Sequence, residues 1–224
     1  MSDFTDKNPK WFYESGEHPE LRILEEQFPV ILAELQNLRK QSANNYWFET
    51  FPEYQEPGKP NTWKVFTFKF FGIRHEANCS LCPQTAALIE QLPSLVTAEF
   101  SYLPANTQIK PHKGFTKMVL RVHLGLIIPG QCGLRVGEET RSWEPGKLLV
   151  FDDSFEHEAW NNSNEDRFVL MMDIPNPAWN YTAKEICKYK IDTLQDQFLL
   201  NLFPKEQWQH FLEVGRFDAL PAQH

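Results

Sequence analysis

Met118 to Ile128 places an apolar residue at every second position, and this stretch constrains the fold more than any other. Successive side chains of a strand point to opposite faces. Met118, Leu120, Val122, Leu124, Leu126 and Ile128 then form one wholly apolar face. The other face carries Val119, Arg121, His123, Gly125 and Ile127. Arg121 and His123 therefore project together from a strand that otherwise reads as buried. A buried guanidinium without a partner is expensive. A ligand anion, or one of the chain's own carboxylates, should face it.

The neighbouring sequence has the same texture. Strands are expected over Thr97–Leu103, Gln108–His112, Met118–Ile128, Gly133–Val136, Lys147–Phe151, His157–Trp160 and Phe168–Ile174. Pro129-Gly130, Val136-Gly137 and Pro145-Gly146 supply turns between several of them. Closely spaced strands with such punctuation indicate a β-sandwich or barrel. Upstream, Leu24, Phe28, Ile31, Leu32, Leu35 and Leu38 recur at helical spacing, so Leu21–Leu38 reads as an amphipathic helix. Pro29 should kink it or mark a second start. Asn44–Thr62, with Pro52, Pro57 and Pro60, reads as loop. Trp63–Phe71 reads as a strand, and Gln84–Leu92 as a short helix with Pro83 in its first turn. Thr182–Leu202 and Lys205–Val214 return to helical spacing. The expected architecture is one domain over residues 1–224, mainly β: a double-stranded β-helix (jelly roll) core over about 60–178, a helical N-terminal extension, 1–59, and a helical C-terminal segment, 179–224.

Composition removes several function classes. A formal net charge of −8 disfavours nucleic acid or an anionic membrane as a general partner. No apolar run approaches the roughly 20 residues needed to span a bilayer. Met1–Gly16 is polar and broken by Pro9, which is unlike a secretory leader, so a cytoplasmic location is expected. Cys79 and Cys82 form a lone CxxC, with Cys132 and Cys187 isolated. Structural thiols are the expected reading, since a zinc site needs further ligands at matched spacing.

The candidate chemistry lies in two widely separated histidines. His112 is followed by Lys113 and Gly114; His157 follows Phe151-Asp152-Asp153-Ser154-Phe155-Glu156, and Arg167 comes ten residues later. This is the layout of a non-haem iron(II) oxygenase that also binds 2-oxoglutarate. Such sites commonly use two histidines and one carboxylate, with the other metal positions open. In many, the carboxylate sits two residues after the first histidine, where strand residues share a face. Here that position is Gly114. A hairpin between His157 and Arg167 would put the arginine one strand from the metal, where its planar fork suits a carboxylate. Asp153 lies four residues before His157. It reads either as a turn-stabilising residue or as an outer-shell acceptor for a water on the metal. His75 and His210 fall outside this spacing and are expected at the surface.

Three runs carry a closer resemblance: Arg121-Val122-His123-Leu124-Gly125-Leu126, Trp143-Glu144-Pro145-Gly146-Lys147, and Phe151 through Asn161. Together they resemble the aspartyl/asparaginyl β-hydroxylase family over roughly Tyr46 to Pro177, most strongly from Ser101 onward. The resemblance implies an iron(II)- and 2-oxoglutarate-dependent dioxygenase with a double-stranded β-helix, using O₂ and hydroxylating an unactivated C–H bond. It implies His112 and His157 as metal ligands without a carboxylate, consistent with Gly114. It also implies that Ser101, Arg121, His123 and Arg167 hold 2-oxoglutarate. The expected substrate is the β-carbon of an aspartyl or asparaginyl residue in a peptide or protein, or a related small molecule. Two alternatives stand beside it: a halogenase that uses the room beside Gly114, and a non-catalytic cupin-like module that binds a small anion.

Overall fold

The expected strands assemble into two facing sheets, as in a double-stranded β-helix. The computed structural model describes residues 9–41, 47–49, 54 and 63–218. Most of the loop expected over 44–62 therefore lies outside the described residues. The strands are Phe12–Tyr13 (β1), Phe48–Glu49 (β2), Lys64–Phe70 (β3), Ile73–His75 (β4), Thr97–Leu103 (β5), Thr107–His112 (β6), Val119–Ile127 (β7), Cys132–Val136 (β8), Glu139–Arg141 (β9), Leu148–Phe151 (β10), His157–Asn161 (β11), Arg167–Pro175 (β12) and Arg216–Phe217 (β13). The larger sheet runs β1-β10-β7-β12-β5-β3-β4-β13, with β2 also on β3; the smaller runs β6-β11-β8-β9.

Strand β7 lies inside the larger sheet, between β10 and β12. Its apolar face packs outward against the N-terminal helices Arg22–Glu26 (α1) and Phe28–Lys40 (α2). Leu120, Val122, Leu124 and Leu126 there join Leu24, Ile31, Leu35 and Phe100 in one buried cluster. Truncating such a side chain to Ala costs roughly 2–5 kcal/mol. The chain breaks at Gln27, and α2 starts afresh with Pro29 in its first turn, where a missing N–H costs nothing. The second face of β7 looks inward, toward the smaller sheet. Val65, Leu103, Ile109, Leu134, Trp143, Phe151, Val169 and Met171 fill the space between the sheets.

Two short helices, Glu76–Leu81 (α3) and Pro83–Glu90 (α4), connect β4 to β5. His75 is buried rather than at the surface, because it caps α3: its Nδ1 accepts from the Asn78 amide at 3.3 Å. His210 is exposed, as expected. All four cysteines are buried free thiols. The helix expected over Thr182–Leu202 is interrupted. Ala183–Lys188 (α5) passes into a π-helical turn, Tyr189–Thr193, and Gln197–Leu202 (α6) follows after a bend at Gln195. Asp196 holds that bend, capping α6 through the Leu199 amide and pairing with Lys190 Nζ at 2.9 Å. Lys205–Val214 (α7) buries Trp208 beneath Phe203 and Phe211. No helix among the described residues is long and apolar enough to cross a membrane.

The expected hairpin between His157 and Arg167 does not form. Strand β11 pairs with β6 and β8, whereas β12 pairs with β5 and β7, so the chain changes sheets between them. Asn161 secures that crossing. Its Nδ2 lies 3.2, 3.0 and 2.7 Å from the carbonyls of Leu103, Pro104 and Glu165, and its Oδ1 accepts from Ser163 Oγ at 2.7 Å.

Candidate active site

His112 ends β6 and His157 begins β11, and the two are direct partners across the smaller sheet. Their rings lie 4.1 Å apart between centroids. His112 Nδ1 is 2.7 Å from the Lys110 carbonyl, and His157 Nδ1 is 3.0 Å from the Phe155 carbonyl. A carbonyl only accepts, so each Nδ1 carries the proton and each Nε2 keeps its lone pair. Burial lowers both pKa values, that of His157 to about 3, where the His112 charge adds to the effect. Both rings are therefore neutral at ordinary pH. Two neutral, neighbouring imidazoles with fixed tautomers are a suitable pair of metal ligands. Tyr54 stacks on His112 at 4.1 Å, and Phe151 sits edge-on to His157 at 5.8 Å.

Opposite them, the larger sheet presents the inward positions of three strands. Ser101 on β5, Arg121 and His123 on β7, and Arg167 on β12 line one cleft together with His112 and His157. Alternation brings this about: Arg121 and His123 share a face, as do Arg167, Val169, Met171 and Asp173.

Arg167 is only 1% exposed. Its Nε and Nη1 have no hydrogen-bond partner among the described residues, and its guanidinium lies 4.9 Å from the Trp143 ring centroid. Burial pulls its pKa down to about 10, so it remains cationic near neutrality. His123 is also buried, and its Nδ1 accepts from Trp143 Nε1 at 3.0 Å. Its pKa falls far below the usual value, through burial first and then the charge of Arg167. A neutral ring with Nδ1 accepting carries its proton on Nε2, and that atom has no partner among the described residues. Ser101 Oγ accepts from Trp63 Nε1 at 2.9 Å, which leaves its own O–H free to donate. These donors fit the carboxylate of a small acid.

Arg121 differs from Arg167. Its Nε and Nη2 reach both oxygens of Asp173 at 2.8 and 3.3 Å, and Nη2 lies 3.2 Å from Asp153. Its charge is therefore answered within the chain. Asp153 is 1% exposed, and its backbone carbonyl accepts from the Gly114 amide at 2.7 Å. Its Oδ1 has no partner among the described residues. Burial raises its pKa, with the Arg121 charge opposing. Glu156 and Glu158 point away from the cleft and bind Arg135. Among the described residues no group of three or more His, Cys, Asp or Glu side chains converges as a metal-holding set.

Sequence reasoning gives no role to Trp143, Trp63, Tyr54 or Asp173. The Trp143 run is part of the resemblance, but its indole acts through residues distant in sequence, His123 and Arg167. Asp173 carries one usable signal: it shares the inward face of β12 with Arg167.

The sequence model described as aspartyl/asparaginyl β-hydroxylase matches residues 25–177. An ornithine lipid ester-linked acyl 2-hydroxylase of Rhizobium tropici is 35% identical over 169 residues, covering 74% of this chain and 60% of that protein. The human aspartyl/asparaginyl β-hydroxylase is 37% identical over 132 residues, covering 56% of this chain and 17% of that protein. The chain thus spans less than two thirds of either relative. Among solved structures, a Pseudomonas putida prolyl-4-hydroxylase aligns over 70% of this chain and 98% of its own, with a TM-score of 0.46 and 14% identity.

Proposed function

The chain belongs to the aspartyl/asparaginyl β-hydroxylase family, and on that premise we propose that it is an iron(II)- and 2-oxoglutarate-dependent dioxygenase that hydroxylates an unactivated C–H bond. The observation that carries this reading is the pairing of two buried ligand sets across one cleft. His112 and His157 offer Nε2 lone pairs from one sheet, and Arg167, His123 and Ser101 offer unspent donors from the other. One set suits the metal and the other suits the distal carboxylate of 2-oxoglutarate. When bound, iron(II), 2-oxoglutarate and O₂ supply the oxidising power, with succinate and CO₂ as co-products.

The chain's own part is placement and exclusion of water. The Lys110 and Phe155 carbonyls orient the two imidazoles. Trp143 orients His123 and covers one face of Arg167, so that planar fork meets an incoming carboxylate in a dry setting. Ile109, Leu134, Phe151 and Ala159 complete an apolar wall. Asp153 offers an acceptor beside Gly114 and neutralises Arg121. A carboxyl in that space disfavours a halide there, which supports hydroxylation over halogenation. The relatives' names bring two substrate kinds into view: an aspartyl or asparaginyl side chain, and an ester-linked acyl chain of a lipid.

The test is succinate formation from 2-oxoglutarate with iron(II) and air, coupled or uncoupled. Release that disappears in His112→Ala and in His157→Ala is the expected result. Tight 2-oxoglutarate binding with no succinate under any condition would instead favour the anion-binding module.

A further inference from the structure

A second, partly open chamber continues the cleft along the inner face of the larger sheet. Arg121 and Met171 line both spaces and form the boundary between them. The smaller sheet does not cover this end; Lys190, Phe198 and Leu202, from the π-helical turn and α6, line it instead. The apolar part of the walls is Phe48, Phe70, Phe71, Phe115, Phe198 and Leu202, with Thr67 and Thr97 as uncharged polar members. Phe48 meets Phe198 edge-on at 6.1 Å, so an N-terminal strand and a C-terminal helix touch across it.

The charged groups of the lining are already engaged. Asp173 is taken up by Arg121, and Lys190 by Asp196. Glu99 is raised to about 8, by burial first and the charge of Asp173 second, so it is mostly protonated at neutral pH. An aspartate side chain entering here would meet aromatic rings and carboxyl groups, and would lose its hydration without gaining a free cation among the described lining residues. A hydrocarbon gains from the same surface.

We propose that this chamber receives a saturated hydrocarbon chain of the substrate, with α6 and the turn before it as its roof. The proposal rests on the oxygenase reading for its chemistry but not for its binding. On this reading the C-terminal helical segment selects the substrate.

The test is binding of 1-alkanols from butanol to decanol to the full chain, by calorimetry. Affinity should rise about fourfold per methylene until the chamber is full. Phe198→Asp puts a charge in the half-buried roof, and Val65→Phe fills the chamber from the sheet. Each should weaken octanol at least tenfold while keeping a cooperative unfolding transition; if one variant does not fold, the other decides. Affinity independent of chain length, or indifferent to a folded variant, overturns the proposal. Competition by octanoic acid and by dioctanoylphosphatidylcholine distinguishes a free chain from an esterified one: the stronger competitor identifies the source, and failure of both overturns the proposal. Succinate release is measured separately on the same preparation. Alkanol binding without succinate release would leave the chamber standing and remove the oxygenase; succinate release without chain-length dependence would do the reverse.

Discussion

The side-chain carboxyl of Asp153 lies 2.6 Å from the point where a β-carbon on Gly114 would sit. The glycine is thus required by a neighbour's side chain, and that neighbour is a carboxylate. Asp153 cannot swing aside cheaply, because it is 1% exposed and bonded to Arg121 at 3.2 Å. On the proposed reading, the vacant ligand position at Gly114 and the acid four residues before His157 are one spatial arrangement.

Gly114→Ala should lower unfolding free energy by roughly 1–3 kcal/mol, the usual cost of overpacking. Gly16→Ala is the control, since nothing lies within 4 Å of a β-carbon there. Gly114→Asp should fare worse and should not tighten metal binding, because two carboxyl groups would compete for one space. Urea unfolding and a Mn(II) titration of each variant check this. A Gly114→Asp protein of normal stability with tighter Mn(II) binding would show that Asp153 moves freely.

Two protein ligands should hold a divalent metal weakly, and the co-substrate should reinforce it. We expect 2-oxoglutarate to tighten Mn(II) binding by roughly 5–150-fold, the common range for coupled sites. Chelator treatment should weaken 2-oxoglutarate binding by the same factor, as linkage requires. Equal Mn(II) affinities with and without 2-oxoglutarate would argue that the two do not share the cleft.

Arg167→Lys keeps the charge and loses the planar fork. The KM for 2-oxoglutarate should rise about tenfold or more, because a hydrogen bond to a charged group contributes roughly 1.5–3 kcal/mol. Steady-state kinetics decide it. A normal KM with lost turnover would move Arg167 to the substrate's side.

His75 makes the fold acid-sensitive. Burial lowers its pKa from 6.5 to about 4, so the unfolded chain binds the extra proton first. Its contribution to stability is full above pH 6.5 and declines as pH falls toward 4, by at most about 1.4 kcal/mol per pH unit. His75→Asn retains an acceptor for the α3 cap and should flatten that decline. Comparing urea midpoints at pH 7.5 and 5 gives the answer; an equal loss in both proteins would assign the acid sensitivity elsewhere.

Most of the long strands are legible because an alternating or continuous apolar run of four residues or more is closed by a nearby Gly or Pro; β10 and β11 end at Asp152 and Asn162 instead. Strands β1, β2, β4, β9 and β13 have two or three residues each, too few for a period to register. The break inside Thr182–Leu202 is hidden because an apolar stripe continues across it while Asp196 and Lys190 hold a bend. His112, His157 and Arg167 can be singled out from spacing and resemblance, but the sequence distance of Arg167 from His157 suggests one sheet where there are two. The partners of Arg121 are beyond reach, since Asp173 lies 52 positions away along the chain. The burial of His75 is equally hidden, because its capping role depends on a short helix that has no apolar periodicity.

Asn161 ties the strand of His157 to the strand of Arg167 through the carbonyls of Leu103, Pro104 and Glu165. On the proposed reading, it acts as a gauge. The span from the imidazoles to the guanidinium is set where the chain crosses between sheets, not by either ligand. On that reading, a dicarboxylic acid one carbon shorter or longer is expected to reach one anchor and miss the other. Discrimination among co-substrates by length would then rest on a buried carboxamide outside the cleft lining.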